Sequence, residues 1–247
     1  MKARNVLIIF FLSLATASVS AQDLEGDGWR LDLGLSYLAT GGNSDTSSFG
    51  FSMGTEKLVD RWRFLAGAEA LQAEEESEKT AERFAAFSRA AWSISERLAL
   101  TTGWQGEQNR FAGIDHRSTV DLGVSWKAIQ RETWTVETVS AATWNYEDPV
   151  LGESGSNAGL LLMGRSHYQI SENASTSQML RLEPNIEDVD DFRLDARVGL
   201  TASITDIIGV KLSYEARYDA QPVPGFESTD TMATVSLVMN IRREEAE

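Results

Sequence analysis

Residues 192–218 read FRLDARVGLTASITDIIGVKLSYEARY. Apolar residues occupy every second position from Phe192 to Ile204 and again from Ile208 to Tyr218, and the residues between them are charged, polar or glycine. A period of two places these two sets on opposite faces of a β-sheet. The two runs are about thirteen and eleven residues long, whereas an ordinary strand has about five or six and a tilted bilayer crossing needs roughly 9–11. The stretch therefore predicts a transmembrane β-hairpin.

The same alternation recurs in twelve segments along the chain. They lie at about 29–40, 47–58, 62–73, 83–94, 98–108, 118–126, 134–146, 158–170, 174–183, 191–204, 208–218 and 230–241. Short and long connections follow each other in turn, which is typical of outer-membrane barrels with short periplasmic turns and longer outer loops. The sequence predicts an all-β fold, an antiparallel transmembrane β-barrel of about 12 strands. An even strand number places both termini on the periplasmic side.

The N-terminal residues are typical of a secretory signal peptide. Lys2 and Arg4 precede an apolar run over residues 6–12, and small residues lead to Ala21. This run is well short of the roughly 20 residues of a membrane-spanning helix. We expect cleavage after Ala21, which removes residues 1–21 and leaves 22–247 as a single barrel domain. The expected location is the bacterial outer membrane.

One face of the predicted strands carries aromatic residues near both strand ends and aliphatic residues between them. Those next to the short turns are Trp29, Trp62, Trp92, Trp126, Trp134 and Tyr168; those nearer the long loops include Tyr37, Trp104, Trp144 and Tyr214. Two aromatic rings around an aliphatic belt match the two bilayer interfaces, whereas a soluble barrel concentrates aromatic residues in its core. The expected partners of this face are outer-membrane lipid and lipopolysaccharide, and the barrel-assembly machinery is expected to insert it.

The opposite face is small or charged. Its charged and titratable members include Arg30, Asp32, Glu56, Arg63, Arg165, His167, Arg193, Asp195, Arg197, Lys211, Glu215 and Arg217. A charge in lipid costs roughly 2–4 kcal/mol at the bilayer midplane, so this face is predicted to line the lumen. Twelve tilted strands give a backbone diameter of roughly 24 Å, which leaves a narrow passage or none.

Turn positions predict which inward charges face each other. If Ile204 pairs with Ile208, then Asp195 lies opposite Arg217 and Arg197 opposite Glu215. If Leu58 pairs with Arg61, Glu56 lies opposite Arg63. A shift of two residues would keep the face and change the partners.

The sequence gives little support for nucleic-acid binding, metal binding or catalysis. The formal net charge of −15 argues against nucleic-acid binding, and cysteine is absent. No zinc-ligand spacing or G-x-S-x-G elbow is present, and His116 and His167 are interpreted as loop and wall residues. Loose divalent-cation binding by the acidic loops is a weaker interpretation than plain solvation. The sequence predicts no enzyme, cofactor or metal.

Three loops carry a family resemblance. Residues 42–46, 109–117 and 218–230 read GNSDT, NRFAGIDHR and YDAQPVPGFESTD. Their sequences and spacing resemble the salt-induced outer-membrane proteins, a bacterial β-barrel family catalogued as a domain of unknown function. The resemblance covers the mature chain and implies no substrate or catalytic residue. The C-terminus differs from most outer-membrane barrels, which end on an aromatic residue, because Ile241 is followed by residues 242–247, which read RREEAE.

The sequence is compatible with two functions. The first is a narrow passive or gated channel for small hydrophilic solutes or ions. The second is a non-conducting barrel that supports envelope integrity or binds partners through acidic outer loops. Conductance in planar bilayers distinguishes them.

Overall fold

The computed structural model describes residues 28–40, 46–76 and 78–244. Its strands are β1 (Gly28–Thr40), β2 (Thr46–Val59), β3 (Trp62–Glu75), β4 (Glu78–Ser93), β5 (Leu98–Asn109), β6 (Ile114–Arg131), β7 (Trp134–Pro149), β8 (Gly155–Ser171), β9 (Ala174–Pro184), β10 (Phe192–Ser203), β11 (Ile208–Asp219) and β12 (Thr229–Glu244). Each strand pairs with its neighbours in sequence, and β1 pairs with β12 to close the barrel. The predicted antiparallel barrel of twelve strands is confirmed. The predicted signal peptide and its cleavage site lie outside the described residues.

The faces of this barrel are reversed relative to a soluble protein. Leu122 and Tyr37 are 68% and 73% exposed on the outside, whereas Arg30 and Glu56 are 0% and 2% exposed on the inside. The period-two alternation thus places the apolar set outward and the charged set inward. Within the described segments, no helix is long and apolar enough to span a membrane.

Several strands extend beyond the alternating segments of the sequence. β6 runs from Ile114 to Arg131 rather than over 118–126, and its pairing with β7 shifts between Ile114 and His116 and between Lys127 and Ile129. Such bulges break the period of two, so the alternation stops before the strand does. β4 begins at Glu78, inside the predicted loop 74–82, and continues the pairing with β3.

The last strand also continues past its predicted end at Ile241. Arg242 pairs with Arg30, and Glu244 pairs with Gly28 at the start of β1. The charged residues after Ile241 therefore take part in barrel closure.

The hairpin registers test the predicted charge pairs. In β10–β11, Asp195 faces Arg217 and Arg197 faces Glu215, as predicted. In β2–β3, Val59 pairs with Trp62, so Glu56 faces Leu65 and the predicted match with Arg63 is wrong. The turn contains only two residues, and Asp60 adopts the left-handed conformation with a φ of 52°. The predicted pairing also implies a two-residue turn, but at Val59 and Asp60. The observed turn lies one residue later, which moves the register by two residues and keeps Glu56 on the inner face.

Candidate functional site

The predicted lumen residues all lie on the inner face of the barrel wall. The buried ones are Arg30, Glu56, His167, Lys211 and Glu215; the partly buried ones are Asp32, Arg63, Arg165, Arg193, Asp195, Arg197 and Arg217. Regular strand pairing and the period of two bring them together in layers along the barrel.

The layer nearest the short turns links four strands through two arginines. Arg30 on β1 donates to Glu56 on β2 at 3.0 Å, and Arg63 on β3 donates to the same carboxylate at 2.6 Å. Arg63 also reaches Glu137 on β7 at 3.4 Å. The last bond crosses the lumen, because β3 and β7 are four positions apart in the ring of strands. Glu56 and Arg63 are thus in contact although they are not opposite in register.

The central layer joins directly opposite walls. Arg217 on β11 binds both carboxylate oxygens of Glu107 on β5, at 2.5 and 2.8 Å. These strands are six positions apart in a ring of twelve, so the pair spans the full width of the lumen. Arg83 lies 3.0 Å from Glu107 and 3.4 Å from Glu215. At this level side chains from opposite walls meet across the lumen.

The layer nearest the long loops is a third network. Arg117 on β6 contacts Glu147 at 2.7 Å and Asp219 on β11 at 3.4 Å. Arg193 on β10 lies 3.2 Å from Glu147 and 3.7 Å from Glu183. Five strands therefore share charges close to the opening at the long loops.

A glycine makes room for a further inward pair. Arg89 on β4 binds Asp121 on β6 with two hydrogen bonds, of 3.0 and 2.6 Å. The pair passes over Gly103 on the strand between them, where a Cβ atom would lie 2.6 Å from both side chains. A side chain at this position would displace the pair.

An interior cavity of about 240 Å³ lies between the layer nearest the short turns and the central layer. Arg63, Arg89, Arg165 and Arg197 are among its lining residues. The wall formed by β7 and β8 also carries an inward apolar cluster of Val139, Ala141, Leu161 and Met163. The prediction that the inner face is only small or charged was therefore wrong on this wall.

The histidines occupy different environments. His167 is buried on the inner wall and lines the cavity, whereas His116 is exposed on β6 with its ring 6.2 Å from that of Tyr146. No group of three or more acidic, histidine or cysteine side chains suited to a metal ion occurs among the described residues.

The ten predicted interface aromatics lie on the outer face. Eight are exposed, and Trp29 and Trp134 are partly buried. Near the short turns, Trp62 pairs with Trp92 and Trp134 pairs with Tyr168, so neighbouring strands carry aromatic residues at the same height. Trp104 donates its indole N–H to Ser118 at 2.9 Å on the outer wall.

Solved structures share this fold at low sequence identity. The NanC porin is 11% identical, with 86% of this chain and 97% of that chain covered and a TM-score of 0.50. An outer-membrane channel from Pseudomonas putida F1 is 14% identical over 94% and 99% of the chains, with a TM-score of 0.49. The translocator domain of the autotransporter NalP from Neisseria meningitidis is 12% identical over 91% and 90%, with a TM-score of 0.47. The likeness to the NanC porin shows an outer-membrane β-barrel fold.

No curated protein matches the chain. Residues 33–241 match a protein family described as "Protein of unknown function, DUF481". This range extends from β1 into β12 and so includes all twelve strands in whole or in part. The predicted membership of a family of unknown function is confirmed: the chain belongs to this family.

Proposed function

We propose that the protein is a narrow, gated channel for small hydrophilic solutes or ions in the bacterial outer membrane. Two features support this proposal. The exterior is apolar over the height of the strands, which suits lipid, and the interior is charged and contains a cavity of about 240 Å³. Ion pairs that cross the lumen lie on either side of that cavity.

The proposal rests mainly on one observation: Arg217 and Glu107, which pair across the lumen, each also contact a second charged residue on a neighbouring strand. Arg217 contacts Glu107 across the lumen, but it also lies 3.2 Å from Asp195 on the adjacent strand β10. Glu107 likewise keeps Arg83 at 3.0 Å on its neighbour β4. Breaking a buried ion pair usually costs about 3–5 kcal/mol because a charge loses its partner. Here each charge retains a partner on its own side, so the cross-lumen link opens at lower cost.

Opening of the link would change the width of the passage without unfolding the wall. The strand hydrogen bonds of β5 and β11 are independent of these side chains. Side-chain rearrangement is fast compared with movement of whole strands. The proposed gate is therefore local: the guanidinium of Arg217 moves towards Asp195, and the carboxylate of Glu107 moves towards Arg83.

The proposed orientation has the short turns and both termini in the periplasm. We also propose export through residues 1–21, contact of the outer aromatics with lipid and lipopolysaccharide, and insertion by the barrel-assembly machinery. The proposed role requires no catalysis and no cofactor.

Swelling of liposomes loaded with the refolded protein tests the channel. We expect swelling with small neutral polyols and slower swelling as solute size increases, because the passage is narrow. Glu107→Gln should raise the rate and the size limit. The matched control is Lys79→Gln, which removes a pair with Glu82 at the outer rim of β4. Absence of swelling with every solute, from protein shown to be folded, would contradict the proposal.

One observation favours the second candidate, a non-conducting barrel of the envelope. Arg63–Glu137, Arg217–Glu107 and Arg117–Asp219 all connect non-adjacent strands, and together they brace the barrel from within. In this second function, the ion pairs would serve to stabilise the barrel and would not act as a gate. Wild-type protein and Glu107→Gln would then both be silent, and the variant would be less stable.

A further inference from the structure

Among the inward arginines of the described segments, Arg165 is unusual because no carboxylate contacts it. It lies on β8 and lines the interior cavity. Within the described part of the chain, its guanidinium takes part in no hydrogen bond and no ion pair within 4.0 Å. A guanidinium carries five N–H donors in a planar fork that matches a carboxylate. Arg165 therefore presents unused donors to the cavity.

The strand register shows why this arginine lacks a partner. Glu137 on β7 lies directly opposite Arg165 in the strand pairing. Its carboxylate instead accepts a hydrogen bond from Arg63 on β3, 3.4 Å away across the lumen. The acid beside Arg165 is thus engaged by an arginine from another wall.

The surroundings of Arg165 have a net positive charge. Besides Arg165, six Arg or Lys residues line the cavity, against five Asp or Glu residues. Several of those carboxylates are already bound, such as Asp121 by Arg89 at 2.6 Å and Glu215 by Arg197 at 3.1 Å. An anion that enters this space meets an excess of positive charge.

An apolar surface lies directly beside the free donors. Met179 on β9 pairs with Arg165 on β8. Met163 lies two residues before Arg165 on the same face of β8. Met163 belongs to the buried cluster with Val139 and Leu161, and Met179 packs against that cluster. Methionine side chains are flexible and polarisable, and they contact aromatic rings favourably.

We propose that this part of the cavity is a binding site for a small organic anion with an apolar body. Its carboxylate accepts hydrogen bonds from Arg165, and its apolar part lies against Met163 and Met179. The cavity volume of about 240 Å³ restricts the ligand to a small molecule, since the pockets that bind drug-sized ligands measure about 300–1,000 Å³. The inference rests on the proposed channel for access, because Arg165 faces the lumen and not the outside.

Benzoate is a suitable probe for calorimetric titration of the refolded protein in detergent at constant ionic strength. Benzamide has the same ring and no charge, and acetate has the charge with little apolar surface. We expect saturable benzoate binding and at least about tenfold weaker binding of both analogues, because benzamide lacks the charge that pairs with Arg165 and acetate lacks the apolar surface that contacts Met163 and Met179. Equal binding of benzoate and benzamide, or no benzoate binding, would overturn the proposal.

Two variants locate the site. Arg165→Met keeps much of the side-chain length without the charge and should weaken benzoate binding about tenfold or more, whereas Arg165→Lys should retain part of it. The control is Arg131→Met, which removes an exposed arginine at the end of β6. Unchanged affinity in folded Arg165→Met would show that benzoate binds elsewhere, and a loss in Arg131→Met would point to surface attraction.

Conductance separates this inference from the channel proposal. If benzoate binds at Arg165 but the protein conducts no ions, the proposed binding site is supported and the proposed channel is excluded. Steady conductance that benzoate does not reduce, together with the absence of calorimetric binding, would retain the channel and exclude the site.

Discussion

Arg197 on β10 and Glu215 on β11 face each other in the strand register, and their side chains form a hydrogen bond of 3.1 Å. Glu215 also lies 3.4 Å from Arg83 and 3.9 Å from Arg217. Arg197 in turn lies 3.9 Å from Glu69 on β3. The Glu215 carboxylate is therefore shared by three arginines, whereas Arg197 contacts two carboxylates, so the two members of the pair are not equivalent.

Charge reversal at this pair should change ion selectivity. Arg197→Glu places a new carboxylate beside Glu215 and Glu69, so we expect reversal potentials in a salt gradient to shift towards cation selectivity. Adding Glu215→Arg should restore selectivity only in part, because the new arginine meets Arg83 and Arg217. A double variant no closer to wild type than the single variant would show that the two side chains do not interact.

The absence of a side chain at Gly103 should be required for the ion pair between Arg89 and Asp121, which passes over this residue. Gly103→Ala places a Cβ atom 2.6 Å from Arg89 and Asp121, so their hydrogen bonds must break or move. We expect a loss of unfolding free energy on the order of 1 kcal/mol, measured by urea unfolding in lipid vesicles. Gly164→Ala is the control, because nothing lies within 4 Å of its added Cβ. Equal stability of the two variants would mean that the pair does not contribute.

The orientation of the barrel can be tested with inserted epitopes. An epitope between residues 220 and 228, in the loop before β12, should bind antibody on intact cells. One at Glu96, in the short turn before β5, should bind only after the envelope is opened. The reverse pattern would show that the barrel is inserted with the short turns outside.

Export should remove the N-terminal segment. We expect N-terminal sequencing of the protein from outer-membrane fractions to begin at Gln22, because small residues precede Ala21. Protein that retains Met1 in these fractions would contradict the predicted cleavage. An Ala21→Leu variant should slow processing, since a large residue does not suit the cleavage site.

The strand number and the inward face could be predicted from the sequence because a long barrel strand repeats one simple period. The β10–β11 register was also correct, since the turn at residues 205–207 is bounded by clear alternation on both sides. The β2–β3 register was wrong because the two-residue turn was placed at Val59 and Asp60, one position before the observed turn at Asp60 and Arg61, and the alternation allows both positions. A register needs the turn geometry as well as the period.

The contacts that cross the lumen could not be predicted in this way. Arg217 and Glu107 are 110 residues apart, and Arg63 and Glu137 are 74 apart. Their heights along the barrel depend on the stagger accumulated over several strands, and register shifts in the β5–β6 and β6–β7 pairings alter this stagger. The inward Gly103 and the apolar cluster around Leu161 were missed for a related reason: their role appears only when neighbouring walls are in place.

Single-channel recording of refolded wild-type protein and Glu107→Gln in planar bilayers tests the central claim most directly. We expect the wild type to show a small conductance with discrete closures, because the link between Arg217 and Glu107 opens and closes. Glu107→Gln should show a larger conductance and fewer closures, since a neutral amide holds Arg217 less strongly. Folded protein that is silent in both forms, or equal conductance and closure in both, would contradict a gate formed by this pair.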